Sequence, residues 1–213
     1  MPFLDQSMTI PKLLLASASP RRAELLRTAG FRFETSPVDL IEQPQAGERA
    51  LDYGRRIALE KAQAAYDQLP PASATVVLGA DTEVVLGRRI YGKPENAEQA
   101  AEMLRSLSGR RHRVISAVAL VGAARTLVID SQTQVVFRPL NTAEIDAYVA
   151  TGEPFGKAGA YALQGRACAF VQSLRGSYTG VVGLPIYPCC EALAEFGIVP
   201  DWRRVANMAT APV

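Results

Sequence analysis

Leu13-Leu-Leu-Ala-Ser-Ala-Ser-Pro-Arg-Arg22 passes from an apolar run through a turn into the start of a helix. Residues 13–16 suit a buried central strand. Ser17, Ala18 and Ser19 allow a tight turn. Ser19 suits the N-cap, and Pro20 suits the first helical position, where its missing N–H costs nothing. Arg21 and Arg22 then fall in the first turn, where the helix carries partial positive charge and favours acids. Two guanidinium groups pointing into water would leave that conflict unrelieved. A phosphate-bearing ligand would relieve it, because free N–H groups and two Arg forks all suit such an anion.

Strand and helix patterns alternate onward from this stretch. Gly30 sits where a helix C′ glycine is expected. Residues 31–38 read as a strand, and Asp39-Leu-Ile-Glu42 leads into a loop rich in Gln, Pro and Gly. Residues 48–69 predict a helix whose stripe is Ala50, Gly54, Ile57, Ala58, Ala62, Ala65 and Leu69. Lys61 lies at the edge of that stripe, either snorkelling to water or aimed into a cleft. Residues 75–86 predict the strongest strand, continuous and apolar in its first half as in a strand covered on both faces. Asp81 stands where the apolar run ends. A carboxylate there is costly unless partnered, and in open α/β sheets the ligand crevice lies at such strand ends.

Gly87-Arg88 fits a two-residue hairpin loop of type II′. The implied register pairs Val84 with Tyr91 and carries Lys93 back beside Asp81 and Thr82, as a plain cross-strand ion pair or as part of a site. The flanking Gly92 and Pro94 favour a site. Asn96 begins a helix that Gly109 closes. Residues 113–121 and 127–137 read as strands joined by a hairpin, and Asn141 with Glu144 predicts a capped helix to about Ala150. A glycine-rich loop, 152–165, offers Lys157 and Gln164 as polar handles. A last strand at 167–174 and a helix from about Leu184 to Phe196 complete an α/β fold with a mixed twisted sheet and flanking helices. Residues 1–11 read as a loose arm, 12–199 as a single domain, and 200–213 as a tail with Trp202 packed and Arg203 and Arg204 solvated.

Composition narrows the function. At 48% hydrophobic and 21% charged, the 213-residue chain resembles an ordinary soluble domain. A formal charge of +2 does not suggest a nucleic-acid coat, so any positive field must be local. The N-terminus lacks the pattern of a signal peptide, and no apolar run has membrane-spanning length. Cys168, Cys189 and Cys190 form no C-x-x-C pair and read as buried, reduced thiols of a cytoplasmic protein. The one histidine, His112, lies between arginines and reads as solvated, which argues against zinc and against Ser-His chemistry. Neither a Walker loop nor a G-x-G-x-x-G fingerprint occurs. Arg21, Arg22, Lys61, Lys93 and Lys157 with Glu42 and Asp81 make a charge pattern for a polyphosphate and a divalent metal. In such a site the metal polarises a phosphoryl group, a carboxylate activates water, and the cations offset charge on the leaving group.

Ala16-Ser-Ala-Ser-Pro-Arg-Arg22, Gly79-Ala-Asp-Thr82, Gly92-Lys-Pro94, Lys157-Ala-Gly-Ala-Tyr161 with Gln164-Gly165, and Gly176-Ser-Tyr178 with Val181-Val-Gly-Leu-Pro185 resemble the Maf family of nucleoside triphosphate pyrophosphatases. The resemblance runs in order from about Lys12 to Phe196. It implies hydrolysis between the α- and β-phosphates, Mg²⁺ or Mn²⁺, a cytoplasmic location, a homodimer, and a long cleft between two lobes of a fold shared with inosine triphosphatases. It makes Asp81 the base, gives Lys61, Lys93 and Glu42 to the catalytic cleft, and gives the metal to Asp81 and Glu42. Ser17, Arg21, Arg22, Thr82, Lys157 and Gln164 become substrate-binding, and Arg21, Thr82 and Gln164 mark the dTTP/UTP branch. The Gln164 amide offers a donor and an acceptor, which suits the imide edge of uracil or thymine. Gly156 departs from the family, where Asp often precedes the lysine. Two rival readings accompany the resemblance: a non-catalytic nucleotide-binding regulator of septum formation, and a purine-directed house-cleaning enzyme.

Overall fold

The computed structural model describes residues 11–71 and 73–202. Strand β1 (Lys12–Leu15) leads through the Ser-Ala-Ser turn into α1 (Pro20–Thr28). The Ser19 side chain caps α1 by accepting from the Arg22 N–H, and Pro20 opens it. Gly30 closes it at φ +88°, the left-handed conformation that glycine adopts without strain. The Gly30 and Phe31 N–H groups return to the Arg27 and Leu26 carbonyls, the paired bonds of a Schellman motif.

Strand β2 (Glu34–Thr35) is much shorter than the residue pattern suggested. Helix α2 (Ala50–Tyr66) follows, then β3 (Thr75–Leu86), β4 (Arg89–Tyr91) and α3 (Ala97–Leu107). The long strands β5 (Arg111–Val121) and β6 (Thr126–Phe137) precede α4 (Thr142–Ala150), which carries the complete Asn141–Glu144 capping box. Strand β7 (Val171–Arg175) begins later than expected, because 166–170 form a 3₁₀ turn. A short helix the sequence did not signal, α5 (Tyr178–Val182), is capped by Ser177 and stopped by Gly183 at φ +136°. Helix α6 (Ile186–Ala194) ends the described fold.

The sheet order is β2-β1-β3-β5-β6-β7, with β4 also on β3. Strands β1, β2 and β3 are parallel, and the other pairings are antiparallel. The hairpin register is the one expected, with Val84 opposite Tyr91. One edge of β3 holds β1 along Thr75–Leu78 and β4 along Val84–Leu86. Among the described residues no strand pairs the intervening Gly79–Glu83 on that edge, and the sheet opens there.

Three apolar clusters surround this opening. Leu13, Leu15, Val76, Leu78 and Val118 pack on α1 and α6. On the other face Leu14, Val77, Ala117 and Ala119 meet Ala58, Ala62 and Ala65 of α2. The far ends of β3, β5 and β6 pack with α3 and α4 through Val84, Val114, Phe137, Leu104 and Ile145. The small residues of α2 bring its backbone against the sheet at Gly79. A Cβ there would overlap the Ala58 carbonyl oxygen and the Ala62 nitrogen.

Several local expectations fail. His112 is 2% exposed, because β5 starts early enough to turn it inward between the exposed Arg111 and Arg113. Its Nε2 lies 2.9 Å from the Tyr161 hydroxyl, and its ring packs edge-on to Phe137. Cys189 is buried, but Cys190 is half-buried and Cys168 is exposed on the 3₁₀ turn. Trp202 is exposed, not packed. Arg203, Arg204 and nearly all of the expected N-terminal arm lie outside the described residues.

Replacing Gly79 with Ala is expected to destabilise the fold by about 1–3 kcal/mol, the usual cost of overpacking, seen as a lower urea midpoint. Burial holds the His112 imidazole down at about 4. As the only histidine, it gives one imidazole resonance. That resonance should not titrate between pH 8 and 5.5, whereas an exposed imidazole would pass its midpoint near 6.5. Because the folded value is depressed, His112's contribution to stability is full above about pH 6.5 and falls as acid protonates the unfolded chain.

Candidate functional site

The opening in the β3 edge is the floor of a cleft of about 870 Å³. Its lining includes Ser17, Arg21, Arg22, Glu42, Lys61, Asp81, Thr82, Lys93, Lys157 and Gln164. All ten residues singled out from the sequence therefore share one concavity, though not all in the contacts expected.

Alternation along β3 sends Asp81 and Glu83 to the α2 face and Thr82 to the opposite face. On the α2 face, Lys61 Nζ lies 2.8 Å from Asp81 Oδ1 and 2.8 Å from Glu42 Oε1. Lys61 and Asp81 are 7% and 4% exposed, so this lysine does not snorkel to water. Glu83 is also buried there. Burial, with the Asp81 carboxylate beside it, pushes the Glu83 carboxyl up to about 10 and keeps it neutral at pH 7. Asp81 Oδ2 is buried with no hydrogen-bond partner, and a neutral Glu83 has a proton it could offer. Lys93 shares the cleft with Asp81, but among the described residues no ion pair joins the two. The β3–β4 pairing stops at Tyr91, and Lys93 Nζ stands mostly exposed, 3.6 Å from Glu42 Oε2.

On the other face, the two adjacent arginines divide. Arg22 is built into the protein: Nε donates to the Gly183 carbonyl at 3.0 Å, Nη1 to Ser17 Oγ at 3.1 Å, and Nη2 to Thr82 Oγ1 at 3.3 Å. Burial lowers its pKa, with Asp81 and Glu42 opposing. Ser17 Oγ also accepts from the Ser19 N–H at 3.2 Å. With both lone pairs engaged, Ser17 keeps its proton to donate into the cleft. Arg21 stands apart from this network. Burial lowers the pKa of Arg21, and burial together with Arg21's charge lowers that of Lys157. Lys157 Nζ is held by the Glu153 and Phe155 carbonyls at 2.6 and 3.2 Å. Cations crowded in this way would each be relieved by a shared anion. Gly156 adopts φ +72°, with open space where a Cβ would stand.

A model of the family described as Maf-like protein matches residues 12–196. The chain belongs to the Maf family. Among family members, a protein of Xanthomonas axonopodis pv. citri named dTTP/UTP pyrophosphatase is 50% identical over 190 residues, covering 87% of this chain and 98% of its own. One of Methylococcus capsulatus with the same name is 50% identical over 187 residues, covering 88% and 92%. One of Aromatoleum aromaticum, again so named, is 47% identical over 197 residues, covering 87% and 96%. Among solved structures, the Staphylococcus aureus Ham1 protein aligns with a TM-score of 0.41 at 15% identity, covering 59% of this chain and 71% of that one.

Glu83 and Ser116 escaped the sequence reading of this Maf chain. Glu83 had a usable signal: on a strand it shares a face with Asp81, two residues earlier. Ser116 is a hydroxyl inside the apolar run of β5, and the β3–β5 register sets it opposite Thr82. Gly183 lies in the Val181–Pro185 motif, but the role of its carbonyl was not legible there, because it meets Arg22 only in the folded chain.

Removing one partner of a buried ion pair leaves the other charge stranded. Lys61→Met is therefore expected to cost about 3–5 kcal/mol of stability by urea unfolding. A loss below about 1 kcal/mol would show that the carboxylates do not depend on this ammonium.

Proposed function

We propose that this protein hydrolyses dTTP and UTP between the α- and β-phosphates, releasing the nucleoside monophosphate and pyrophosphate. The observation that carries the reading is one cleft whose lining joins a buried carboxylate, Asp81, with Ser17, Arg21 and Lys157, with the relatives' shared name supporting it. Arg21, Lys157 and the Ser17 hydroxyl take the phosphates. Arg22 holds the turn that presents them. Asp81 accepts the proton of the attacking water, and Lys61 holds that carboxylate in place. Lys93 and the phosphate-facing cations offset charge that grows on the leaving pyrophosphate. Gln164 reads the imide edge of the pyrimidine, with Arg21 and Thr82 completing the selection.

The donor set suits a hard divalent cation. Asp81 and Glu42 both present carboxylates around Lys61. That fits Mg²⁺ or Mn²⁺, which bind through one or two carboxylates and take further oxygens from substrate phosphates. When bound, the cation neutralises phosphate charge and polarises the phosphoryl group. The described residues contain no helix long and apolar enough to cross a membrane. We assign the activity to residues 12–199 as one domain, working as a cytoplasmic homodimer without nucleic-acid or membrane partners.

Purified protein with Mg²⁺ or Mn²⁺ and a panel of nucleoside triphosphates tests this reading. We expect dTTP and UTP to lead, pyrophosphate to be the product, and chelation to stop release until metal is restored. Orthophosphate as the product, or equal rates on every base, contradicts the assignment. Asp81→Asn should lower kcat by about 10²–10⁴-fold with the circular dichroism spectrum unchanged.

A further inference from the structure

Behind Thr82, the donors and acceptors around each hydroxyl constrain where its proton lies. Ser116 is 1% exposed, and its Oγ is 2.6 Å from the Gly180 carbonyl oxygen. A carbonyl only accepts, so the single Ser116 proton goes there. Ser116 Oγ is also 2.9 Å from Thr82 Oγ1. That contact needs a proton between the two oxygens, and only Thr82 still has one to give. The weaker approach of Thr82 Oγ1 to the Gly183 carbonyl, at 3.4 Å, therefore goes without a proton. Arg22 Nη2 can only donate, so it fills one Thr82 lone pair. The chain runs one way, from the Arg22 cation through Thr82 and Ser116 to the Gly180 carbonyl on α5. Bonds aligned in this sense polarise and strengthen one another.

We propose that Ser116 is a positioning residue of the nucleotide site: by taking the only proton of Thr82, it leaves Thr82 with one free lone pair and no donor toward the cleft. The ligand group that meets Thr82 must then be an N–H or O–H donor. Ser17 is the counterpart, since the same guanidinium and the Ser19 N–H leave it a donor only. The two hydroxyls on either side of Arg22 thus present opposite polarity, one toward anionic oxygen and one toward a hydrogen-bond donor. This inference rests on the nucleotide reading of the cleft for its consequence, but its proton assignment stands on the protein alone.

Two measurements separate these layers. Neutron diffraction from the deuterium-exchanged protein without nucleotide should place the Thr82 hydroxyl deuterium toward Ser116 Oγ and the Ser116 deuterium toward the Gly180 carbonyl. A Thr82 deuterium aimed at Gly183 or into the cleft overturns the proposal whether or not the protein is an enzyme. The second measurement is a double-mutant cycle with UTP. Ser116→Ala should raise KM on the order of tenfold, a single hydrogen bond's effect, with kcat within about twofold. In a Thr82→Val background the same change should leave KM unaltered. An equal rise in both backgrounds would make Ser116 merely structural and overturn its action through Thr82. A wild-type protein that releases no pyrophosphate defeats the functional reading, and the proton map then decides the inference by itself.

Discussion

The Lys61 ammonium, lodged between Asp81 and Glu42, is the contact on which the site depends. It exists because α2 lies unusually close to the sheet, with Ala58 and Ala62 against a residue that has no Cβ. A buried ion pair is a poor way to gain stability, since desolvating both partners offsets much of their attraction. Well-packed apolar residues would hold α2 to β3 as firmly. What they would not do is hold a carboxylate at the floor of a cleft with a neutral acid, Glu83, beside it. The helix-to-strand approach is thus a structural device with a chemical result.

On the opposite face of β3 the charges are arranged to different ends. Adjacent residues of a helix point about 100° apart, and here one arginine is a strut while the other is available. Arg22 gives its guanidinium to Ser17, Thr82 and Gly183, tying the turn after β1 to the strand and to the end of α5. Arg21 remains in the cleft near Lys157, each cation made less comfortable by burial. A rigid strut beside an unsatisfied cation is an economical way to prepare a site for an anion, because the reorganisation is done before the ligand arrives.

The place where these groups meet follows from sheet topology. β3 is flanked on one edge by a parallel strand at its start and by an antiparallel hairpin partner at its end. Neither reaches the middle, so no described strand pairs the backbone of 79–83 on that edge, and Asp81, Thr82 and Glu83 border the cleft there. The change of neighbour along one strand plays the part that a reversal of strand order plays in doubly wound sheets. Three apolar clusters pack the elements that border the gap.

Local chemistry was legible in the residues themselves. The Ser19 cap, the Asn141–Glu144 box, the Gly87-Arg88 hairpin and the limits of β3 each follow from neighbours a few positions apart, so sequence alone determined them. The motifs that resemble the Maf family named the residues lining the cleft for the same reason: each motif is a local string. Tertiary structure decided which of those residues touch. Lys93 meets Glu42 and not Asp81, because hairpin pairing ends two residues short of it. His112 is buried, since β5 begins where a basic turn was expected and alternation carries the ring inward. Arg22 is engaged through a carbonyl 161 residues away, and Ser116 through register with β3. Contacts across such separations depend on how helices and strands pack, and no window of neighbouring residues contains that packing.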